Sequence, residues 1–327
     1  MAQPSIPLGS LVEFTLPAFG IRIVAGFSGD FLALRLSTGF FDAGMNRPGL
    51  VLILLSVLIF SACSAIARPF HPKFNGSYPG RSVVDRVEAA SLVIVDSASG
   101  RVVSAKNADQ PRQAASLQKL VTALVIAEAG NLEKPVTVMA KDADCPRTRL
   151  PKSVGGTYTR RELLQAMLVV SANDAARALA RDHSGSESAF GAKMTAVARR
   201  LGATNSVFKD SAGFTVPGQY TTAADMVQIL EAAYANPVIR QANATKFLFW
   251  RKTDGTTQLL RNPLGILHRH AHCRGGKVGY TAAASDCVAL VWEEDGTRLY
   301  GVALGGKSDA FWEQLAAAHK LLAYEVP

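Results

Sequence analysis

The sequence predicts an α+β fold in which helices cover both faces of an antiparallel sheet. Strand-forming segments cluster near the two ends of residues 90–327, and helix-forming segments lie between them, with one more helix at the C-terminus. Short connections join neighbouring strands at each end, which is typical of antiparallel hairpins. This order places the first strands beside the last ones in a single sheet, with helices packed on its faces.

The chain begins with a segment that has no readable element. Residues 1–44 carry scattered apolar residues without clear helix caps or a hydrophobic period. A signal-like segment begins at Met45, so we interpret Met45 as the physiological start. Residues 1–44 are therefore expected to be a non-native or disordered extension.

Residues 45–67 have the composition of an export signal. A short positive start leads into an uncharged apolar run and then into Ala65-Ile66-Ala67, a small-residue exit typical of cleavage. The run is also long enough to stay as a membrane anchor, and Ser61-Ala62-Cys63 resembles a lipoprotein cleavage site. Each alternative predicts export to the periplasm or to the outer face of the cytoplasmic membrane. Residues 68–89 are rich in Pro, Gly and Ser and are expected to form a linker.

Charge and cysteine content narrow the class of protein. The formal net charge is +9, and all of it lies after residue 67, because three arginines balance three carboxylates before that point. Such a surplus suits a polyanionic surface, such as a cell wall, whereas export and the lack of a basic run with interleaved aromatics disfavour nucleic acid. The absence of Cys-x-x-Cys disfavours a zinc knuckle or redox motif. Cys145, Cys273 and Cys287 permit one disulfide, whose pairing stays open.

Each element of residues 90–327 has a local signal. The expected strands are residues 91–96, 101–106, 136–139, 247–250, 256–260, 277–281, 287–292 and 298–303. The expected helices are residues 113–129, 163–170, 175–181, 187–201, 221–236 and 309–323. Thr159 and Glu162 form a capping box before the second of these helices, and Ser186 is the expected N-cap of the fourth.

A serine and a lysine lie three positions apart at the start of the helix over residues 113–129. That spacing puts Ser116 and Lys119 on one face of a helix that is apolar nearly all round, which is typical of a buried helix. A serine hydroxyl becomes a good nucleophile when a base takes its proton. Lysine can be that base when burial or a nearby cation lowers its pKa. We therefore predict Ser116 as a nucleophile and Lys119 as its base.

Ser171-Ala172-Asn173 lies in a turn between two expected helices, where side chains can project into a cleft. We predict that Ser171 relays the proton to a leaving amine. Asn173 is expected to bind the backbone of the substrate.

Lys277-Val278-Gly279 lies at the start of an expected strand. Lys277 offers a positive charge to a terminal carboxylate. Gly279 has no side chain, so a substrate can lie against the strand edge as an added strand. The expected oxyanion hole combines the N–H of Ser116 with one from the strand that follows Gly279.

These three segments, in this order, resemble the motif set of the low-molecular-mass penicillin-binding proteins, the serine D-alanyl-D-alanine carboxypeptidases of peptidase family S11. The resemblance is carried by residues 115–123, 171–180 and 276–281, and residues 208–225 resemble the family's loop and following helix between the last two of these. It implies a β-lactamase/transpeptidase-like fold and removal of the terminal D-alanine from peptidoglycan stem pentapeptides through an acyl-serine intermediate. It also implies covalent inhibition by β-lactams and chemistry without a metal or cofactor. The implied substrate-binding residues are Asn173, Lys277, Val278, Gly279 and Thr281.

The chain departs from the family pattern at three points. Ala172 stands where the family usually has Gly, which is a small change. Val278 stands where it usually has Thr, whose hydroxyl helps hold the terminal carboxylate. A lost hydrogen bond to a charged group costs about 1.5–3 kcal/mol, so we expect activity about ten- to a hundredfold weaker. Many relatives carry a further C-terminal domain and anchoring helix, so any membrane attachment is expected through the N-terminus.

Several alternatives stay open or are disfavoured. A D,D-endopeptidase acting on cross-links would use the same residues, and the valine at position 278 leaves room for a non-catalytic peptidoglycan or β-lactam binder. A class A β-lactamase is disfavoured because no Glu-x-x-Asn lies between Ser171 and Lys277. The run from His268 to Cys273 invites a metal interpretation, but we expect a polar loop or strand edge, because no carboxylate stands nearby in the sequence.

Overall fold

The computed structural model describes residues 12–16, 21–28, 31–38, 88–146, 148–306 and 311–324. The chain divides into two compact units, Met1–Arg68 and Pro69–Pro327. The expected export signal at residues 45–67 and nearly all of the expected linker lie outside the described residues.

The described residues of the first unit form three strands: β1 (Val12–Leu16), β2 (Ile21–Ser28) and β3 (Phe31–Thr38). They form an antiparallel sheet in the order β1-β2-β3. The sequence analysis identified no element here and expected a non-native or disordered extension. The apolar residues of β2 do not alternate strictly, which weakens the strand signal, and the two-residue turn signal Gly29-Asp30 between β2 and β3 was overlooked.

The second unit contains the expected α+β domain. In chain order its elements are β4 (Ala89–Asp96), β5 (Val102–Lys106), a 3₁₀ helix (Ala115–Gln118), α1 (Lys119–Ala129), β6 (Pro135–Thr137), α2 (Ala140–Ala143), β7 (Thr157–Thr159), α3 (Arg160–Val170), α4 (Asn173–Ser184), α5 (Glu187–Arg200), α6 (Ala223–Ala235), α7 (Pro237–Ala244), β8 (Phe247–Arg251), β9 (Thr257–Arg261), α8 (Gly265–Arg269), β10 (Cys273–Thr281), β11 (Ser285–Glu294), β12 (Thr297–Gly306) and α9 (Phe311–Tyr324).

A five-stranded antiparallel sheet has the order β10-β11-β12-β4-β5. The first strand of the domain therefore pairs with its last, β4 with β12, as the sequence predicted. Side chains of β4 alternate between two apolar clusters. Val93 and Val95 belong to a large cluster built mainly by helices α1, α3, α4, α5 and α6, whereas Leu92 and Ile94 belong to a smaller cluster with α8 and α9. This alternation confirms that helices cover both faces of the sheet.

Helix α1 lies at the centre of the larger cluster. Its residues from Lys119 to Ile126 are all buried, and α1 contacts α3, α4, α5, α6 and α7. A helix surrounded by other helices has no solvent face, which explains why its sequence is apolar nearly all round. The capping box at Thr159 and Glu162 and the N-cap at Ser186 are both present as predicted.

Three short helices were missed in the sequence. Asn236-Pro237 was interpreted as the end of a helix, but the Asn236 side chain accepts hydrogen bonds from Val238 and Ile239 and thereby begins α7. Proline at the first helical position suits a helix start as well as a stop, so the dipeptide alone cannot separate the two. Helices α2 and α8 have four and five residues, too few to show a helical period.

The sequence left open whether a disulfide forms and whether a segment of the chain spans a membrane. Cys145, Cys273 and Cys287 are free thiols, so the permitted disulfide does not form among them. Among the helices in the part of the chain that the structure describes, none is both long and apolar enough to cross a membrane.

Candidate active site

Ser116 lies at the entrance to α1, where the backbone is tighter than predicted. Residues Ala115–Gln118 form a 3₁₀ helix, and the α-helix begins only at Lys119. Ala115 has a positive φ of 47°, an uncommon conformation for a residue with a side chain. The tight turn nevertheless keeps Ser116 and Lys119 on one face, as their spacing predicted.

The Lys119 amine lies between three oxygen atoms. Its Nζ is 2.8 Å from Ser116 Oγ and 2.8 Å from Asn173 Oδ1, and it also contacts the carbonyl oxygen of Ala212. The Asn173 amide is oriented by its Nδ2, which donates to the Pro146 carbonyl at 3.1 Å, so that Oδ1 faces the lysine. The structure thus brings together Ser116, Lys119 and Asn173, three of the residues that were singled out in the sequence.

Lys119 is fully buried, and burial lowers its pKa to about 7. Nearby Asp210 opposes this shift only in part, because its negative charge favours the ammonium form. A lysine with a pKa near neutrality is available as a base under physiological conditions. This environment is consistent with the prediction that burial allows Lys119 to act as a base.

The neighbours of Lys119 also orient its lone pair. A neutral amine has two N–H groups and one lone pair. The Ala212 carbonyl and Asn173 Oδ1 are acceptors only, and so they take the two N–H groups. The Ser116 hydroxyl is then the contact that can donate, and the lone pair faces the proton that must leave.

The Ala212 carbonyl is held by a loop within residues 208–225, a stretch that the family resemblance covers, but the contact of this loop with Lys119 was not predicted. The Asp210 carboxylate accepts hydrogen bonds from the backbone N–H groups of Ala212 and Gly213, each at 2.7 Å. Gln118 donates to the Asp210 carbonyl at 2.7 Å, which ties the loop to the nucleophile turn. Asp210 followed three residues later by glycine is a usable turn signal, although it gives no hint of the contact with Lys119.

Ser171 and Asn173 occupy the junction between α3 and α4. Ser171 has a left-handed backbone with φ of 61° and ends α3. It lines the same cleft as Ser116, although its hydroxyl makes no hydrogen bond to Ser116 or Lys119 within the described residues. Asn173 was expected in the turn, but it is the first residue of α4. Helix geometry therefore fixes its position beneath Lys119.

Gly279 of strand β10 packs directly against the backbone of Ser116. A side chain at Gly279 would place its Cβ 2.5 Å from the Ser116 nitrogen, and one at Gly213 would place it 2.1 Å from the Ala115 carbonyl oxygen. Both glycines thus permit backbone approaches that no other residue allows. Because β10 is an edge strand of the sheet, its outer edge is open to an extended peptide beside Ser116.

Lys277, which was expected to offer a positive charge to a substrate carboxylate, is almost fully buried. It is 2% exposed and its Nζ donates to the Val278 carbonyl at 2.7 Å. Burial lowers its pKa well below the ordinary value, and the neighbouring charge of Lys119 lowers it further. Burial therefore disfavours the charged form of Lys277, and a carboxylate that binds nearby would favour its protonation.

The cleft itself has a volume of about 1170 Å³. The residues that line it include Val278 and Thr281 of β10 and also Arg149 and Arg261. Thr281 Oγ1 lies 3.5 Å from Thr215 Oγ1, which places two hydroxyl groups at the β10 wall. A cleft of this size and polarity suits a peptide with carboxylate groups better than a compact apolar ligand.

Among the described residues that line the cleft, Asp286 is the one carboxylate. Glu187 lies elsewhere, with its carboxylate bound to the Ser211 backbone N–H at 2.8 Å. The arrangement can therefore activate a serine through a lysine. The described part of the cleft contains no glutamate that could activate a water molecule. This agrees with the sequence argument against a class A β-lactamase.

Known proteins resemble this chain in sequence and in fold. The profile of the family Peptidase_S11, D-alanyl-D-alanine carboxypeptidase, matches residues 79–308. A D-alanyl-D-alanine carboxypeptidase of Mycobacterium tuberculosis is 33% identical over 235 residues, which are 70% of this chain and 80% of that protein. A D-alanyl-D-alanine endopeptidase of Escherichia coli is 29% identical over 244 residues, covering 72% of this chain and 77% of that protein.

The fold agrees with the same relationship. The crystal structure of a D-alanyl-D-alanine carboxypeptidase from Mycobacterium tuberculosis superposes with a TM-score of 0.69 at 31% sequence identity. The match covers 77% of this chain and 97% of that one. The sequence-based expectation of a transpeptidase-like α+β fold is confirmed.

The pKa of Lys119 predicts how fast Ser116 is acylated at different pH values. Only the neutral amine can accept the serine proton, so the rate of labelling by a fluorescent penicillin should rise with pH through about 7 and then level off. At pH 6 the rate should be about tenfold below the plateau. Labelling reactions stopped at fixed times between pH 5.5 and 9 measure this rate. Lys119→Arg cannot lose its proton and should stay unlabelled at every pH, and a flat wild-type profile would contradict the assignment.

Proposed function

Since this chain belongs to the serine-type D-alanyl-D-alanine carboxypeptidases of the Peptidase S11 family, we propose that it removes the terminal D-alanine from peptidoglycan stem pentapeptides. The observation that carries the proposal is the 2.8 Å contact between Ser116 Oγ and the buried amine of Lys119, at the base of a peptide-sized cleft. Family membership gives the reaction class, and this contact supports the chemistry proposed for the first step.

In the proposed reaction, Ser116 Oγ attacks the carbonyl carbon of the penultimate D-alanine while Lys119 accepts the hydroxyl proton. The Ser116 N–H and an N–H of β10 stabilise the oxyanion that forms on the carbonyl oxygen. The C–N bond then breaks, and a proton passes through Ser171 to the leaving amine of D-alanine. Water subsequently hydrolyses the acyl-serine ester and releases the shortened stem peptide.

Substrate placement follows from the open edge of β10. We propose that the end of the stem peptide lies along this strand beside Gly279, with its terminal carboxylate near Thr281, Thr215 and the buried Lys277. The carboxylates of the remaining stem would then approach Arg149 and Arg261, which also line the cleft.

The proposal is tested by following acylation and turnover separately. Wild-type protein should form a covalent adduct with a fluorescent penicillin and release D-alanine from a pentapeptide. Ser116→Ala should do neither, because the nucleophilic oxygen is removed. Undiminished labelling of Ser116→Ala would overturn the assignment. Labelling of wild type without release of D-alanine would favour a non-catalytic binder of β-lactams.

A D,D-endopeptidase is the second candidate, because one of the similar proteins carries that name. The same acyl-serine chemistry would cleave a cross-link if the cleft accepts a second stem as leaving group. Cross-linked dimers assayed beside the pentapeptide separate the two activities. Faster cleavage of dimers than release of D-alanine would favour the endopeptidase.

Val278 lines the cleft and also packs against the smaller apolar cluster behind the sheet. Replacement by threonine keeps the shape and adds a hydroxyl toward the substrate carboxylate. One hydrogen bond to a charged group is worth about 1.5–3 kcal/mol, so Val278→Thr should raise kcat/KM on the pentapeptide about ten- to a hundredfold. Val278→Ala, which changes the volume without adding a donor, serves as control and should not raise it. No gain with threonine would show that the carboxylate is held elsewhere.

We also propose export to the periplasm or the outer face of the cytoplasmic membrane, with residues 45–67 as signal or N-terminal anchor. The support is the sequence of that segment, together with a substrate that belongs to the cell wall. N-terminal sequencing of the protein from its native cell should begin at Arg68 after cleavage, or at Met45 for a retained anchor. Recovery of residues 1–44 would contradict Met45 as the start.

A further inference from the structure

The histidine-rich run at residues 268–272 takes no part in the proposed reaction. His268 Nε2 lies 2.9 Å from the Asn262 carbonyl, and the His270 ring packs on Trp312 with ring centroids 4.1 Å apart. His272 differs, because its Nε2 faces a carboxylate. The sequence expectation of a polar loop or strand edge rested on the lack of a carboxylate nearby, and β11 brings Glu294 to that position.

Glu294 lies between two imidazole rings. His272 Nε2 is 3.7 Å from Glu294 Oε1, and His319 Nδ1 is 3.6 Å from Glu294 Oε2. These distances are too long for hydrogen bonds, which rarely exceed about 3.2 Å. Donor atoms bound to a tetrahedral Zn²⁺ at about 2.1 Å lie roughly 3.4 Å from one another. The spacing of this group therefore matches the edges of a metal coordination shell better than a set of direct hydrogen bonds.

Asp295 extends the group beyond Glu294. Glu294, Asp295 and His319 each offer a ligand atom, and these atoms lie within 4.8 Å of one another. His272 neighbours Glu294 but lies outside this compact group; with it, two imidazole nitrogens and two carboxylates would give a donor set that suits Zn²⁺. The hard ions Ca²⁺ and Mg²⁺ prefer oxygen ligands and are less suited to it.

The outer contacts of the group favour a ligand role for these side chains. His272 Nδ1 lies 3.3 Å from the Glu293 carbonyl, which favours the tautomer with its proton on Nδ1 and leaves the Nε2 lone pair directed at Glu294. Trp292 Nε1 donates to Glu294 Oε2 at 3.0 Å and orients that carboxylate. Metal-binding histidines and carboxylates are commonly held by such hydrogen bonds.

The group joins parts of the chain that are distant in sequence. Glu294 ends β11, Asp295 lies in the turn that follows, and His272 directly precedes β10. His319 lies on α9 and is 6% exposed. Helix α9 packs on the sheet through Phe311, Leu315 and Ala318, which belong to the smaller apolar cluster. Lys119 is instead surrounded by residues of the larger cluster, on the opposite face of the sheet.

We propose that Glu294, Asp295 and His319 form a zinc site that fastens α9 to the β11–β12 hairpin, with the exposed His272 side chain turning toward the ion as a fourth ligand. The site is structural and separate from Ser116, so the inference is independent of the proposed function. Bound metal replaces the repulsion between neighbouring carboxylates with shared coordination and stabilises the docked helix.

The test uses the tag-free full-length chain, stripped of metal with a chelator and titrated with Zn²⁺ by calorimetry. Wild type should bind one Zn²⁺ per chain and unfold at a higher temperature with zinc than without it. His272→Gln and Asp295→Asn change exposed ligands, so both should fold, and each should weaken the Kd for Zn²⁺ at least about tenfold. His270→Gln, a neighbouring histidine without a carboxylate partner, should leave the Kd unchanged.

Co²⁺ substitution provides an independent readout, since a tetrahedral site gives strong visible absorption and an octahedral site gives weak absorption. Penicillin labelling of His272→Gln should equal that of wild type. The proposal is overturned if wild type binds no Zn²⁺ stoichiometrically, if His270→Gln weakens binding as much as His272→Gln does, or if the Co²⁺ complex lacks the tetrahedral spectrum.

Discussion

The burial of one lysine amine is the constraint on which the rest of the site depends. Lys119 loses its contact with water because α1 is surrounded by helices on one face of the sheet, and this loss brings its pKa to about 7. Stability is affected as well. Between pH 7 and 10.5 the unfolded chain binds the proton and the folded chain does not, so stability should rise with pH across that window. The fold therefore gives up stability at neutral pH and gains a base.

Backbone contacts make that base useful. The Ala212 carbonyl and the Asn173 amide occupy the two N–H groups of the neutral amine, and so the lone pair points to Ser116. Gly213 and Gly279 let two backbone segments close on the nucleophile turn from either side. Asp210 and Gln118 fix the first of these segments. The reactive geometry is thus mostly a property of main-chain packing, with few side chains in direct contact.

The sequence predicted the parts of the molecule that depend on short-range patterns. The spacing of Ser116 and Lys119, the capping box at Thr159 and the paired terminal strands all follow from local periodicity or order along the chain. Contacts set by long-range packing were missed. Ala212 and Asp210 reach α1 from about 90 residues away, and no local pattern announces such a pairing. Lys277 was expected to offer its charge to a substrate carboxylate, but its near-complete burial was not predicted, because burial depends on the neighbours of the whole strand.

That Lys119 loses its proton near pH 7, and is therefore partly neutral at physiological pH, can be measured directly. Lysine labelled with ¹³C at Cε shows its protonation state through its chemical shift, and Lys119→Met identifies the signal by its disappearance. The titration midpoint of Lys119 should lie near pH 7. A midpoint close to 10.4, the value of an ordinary exposed lysine, would contradict it and remove the base from the proposed reaction.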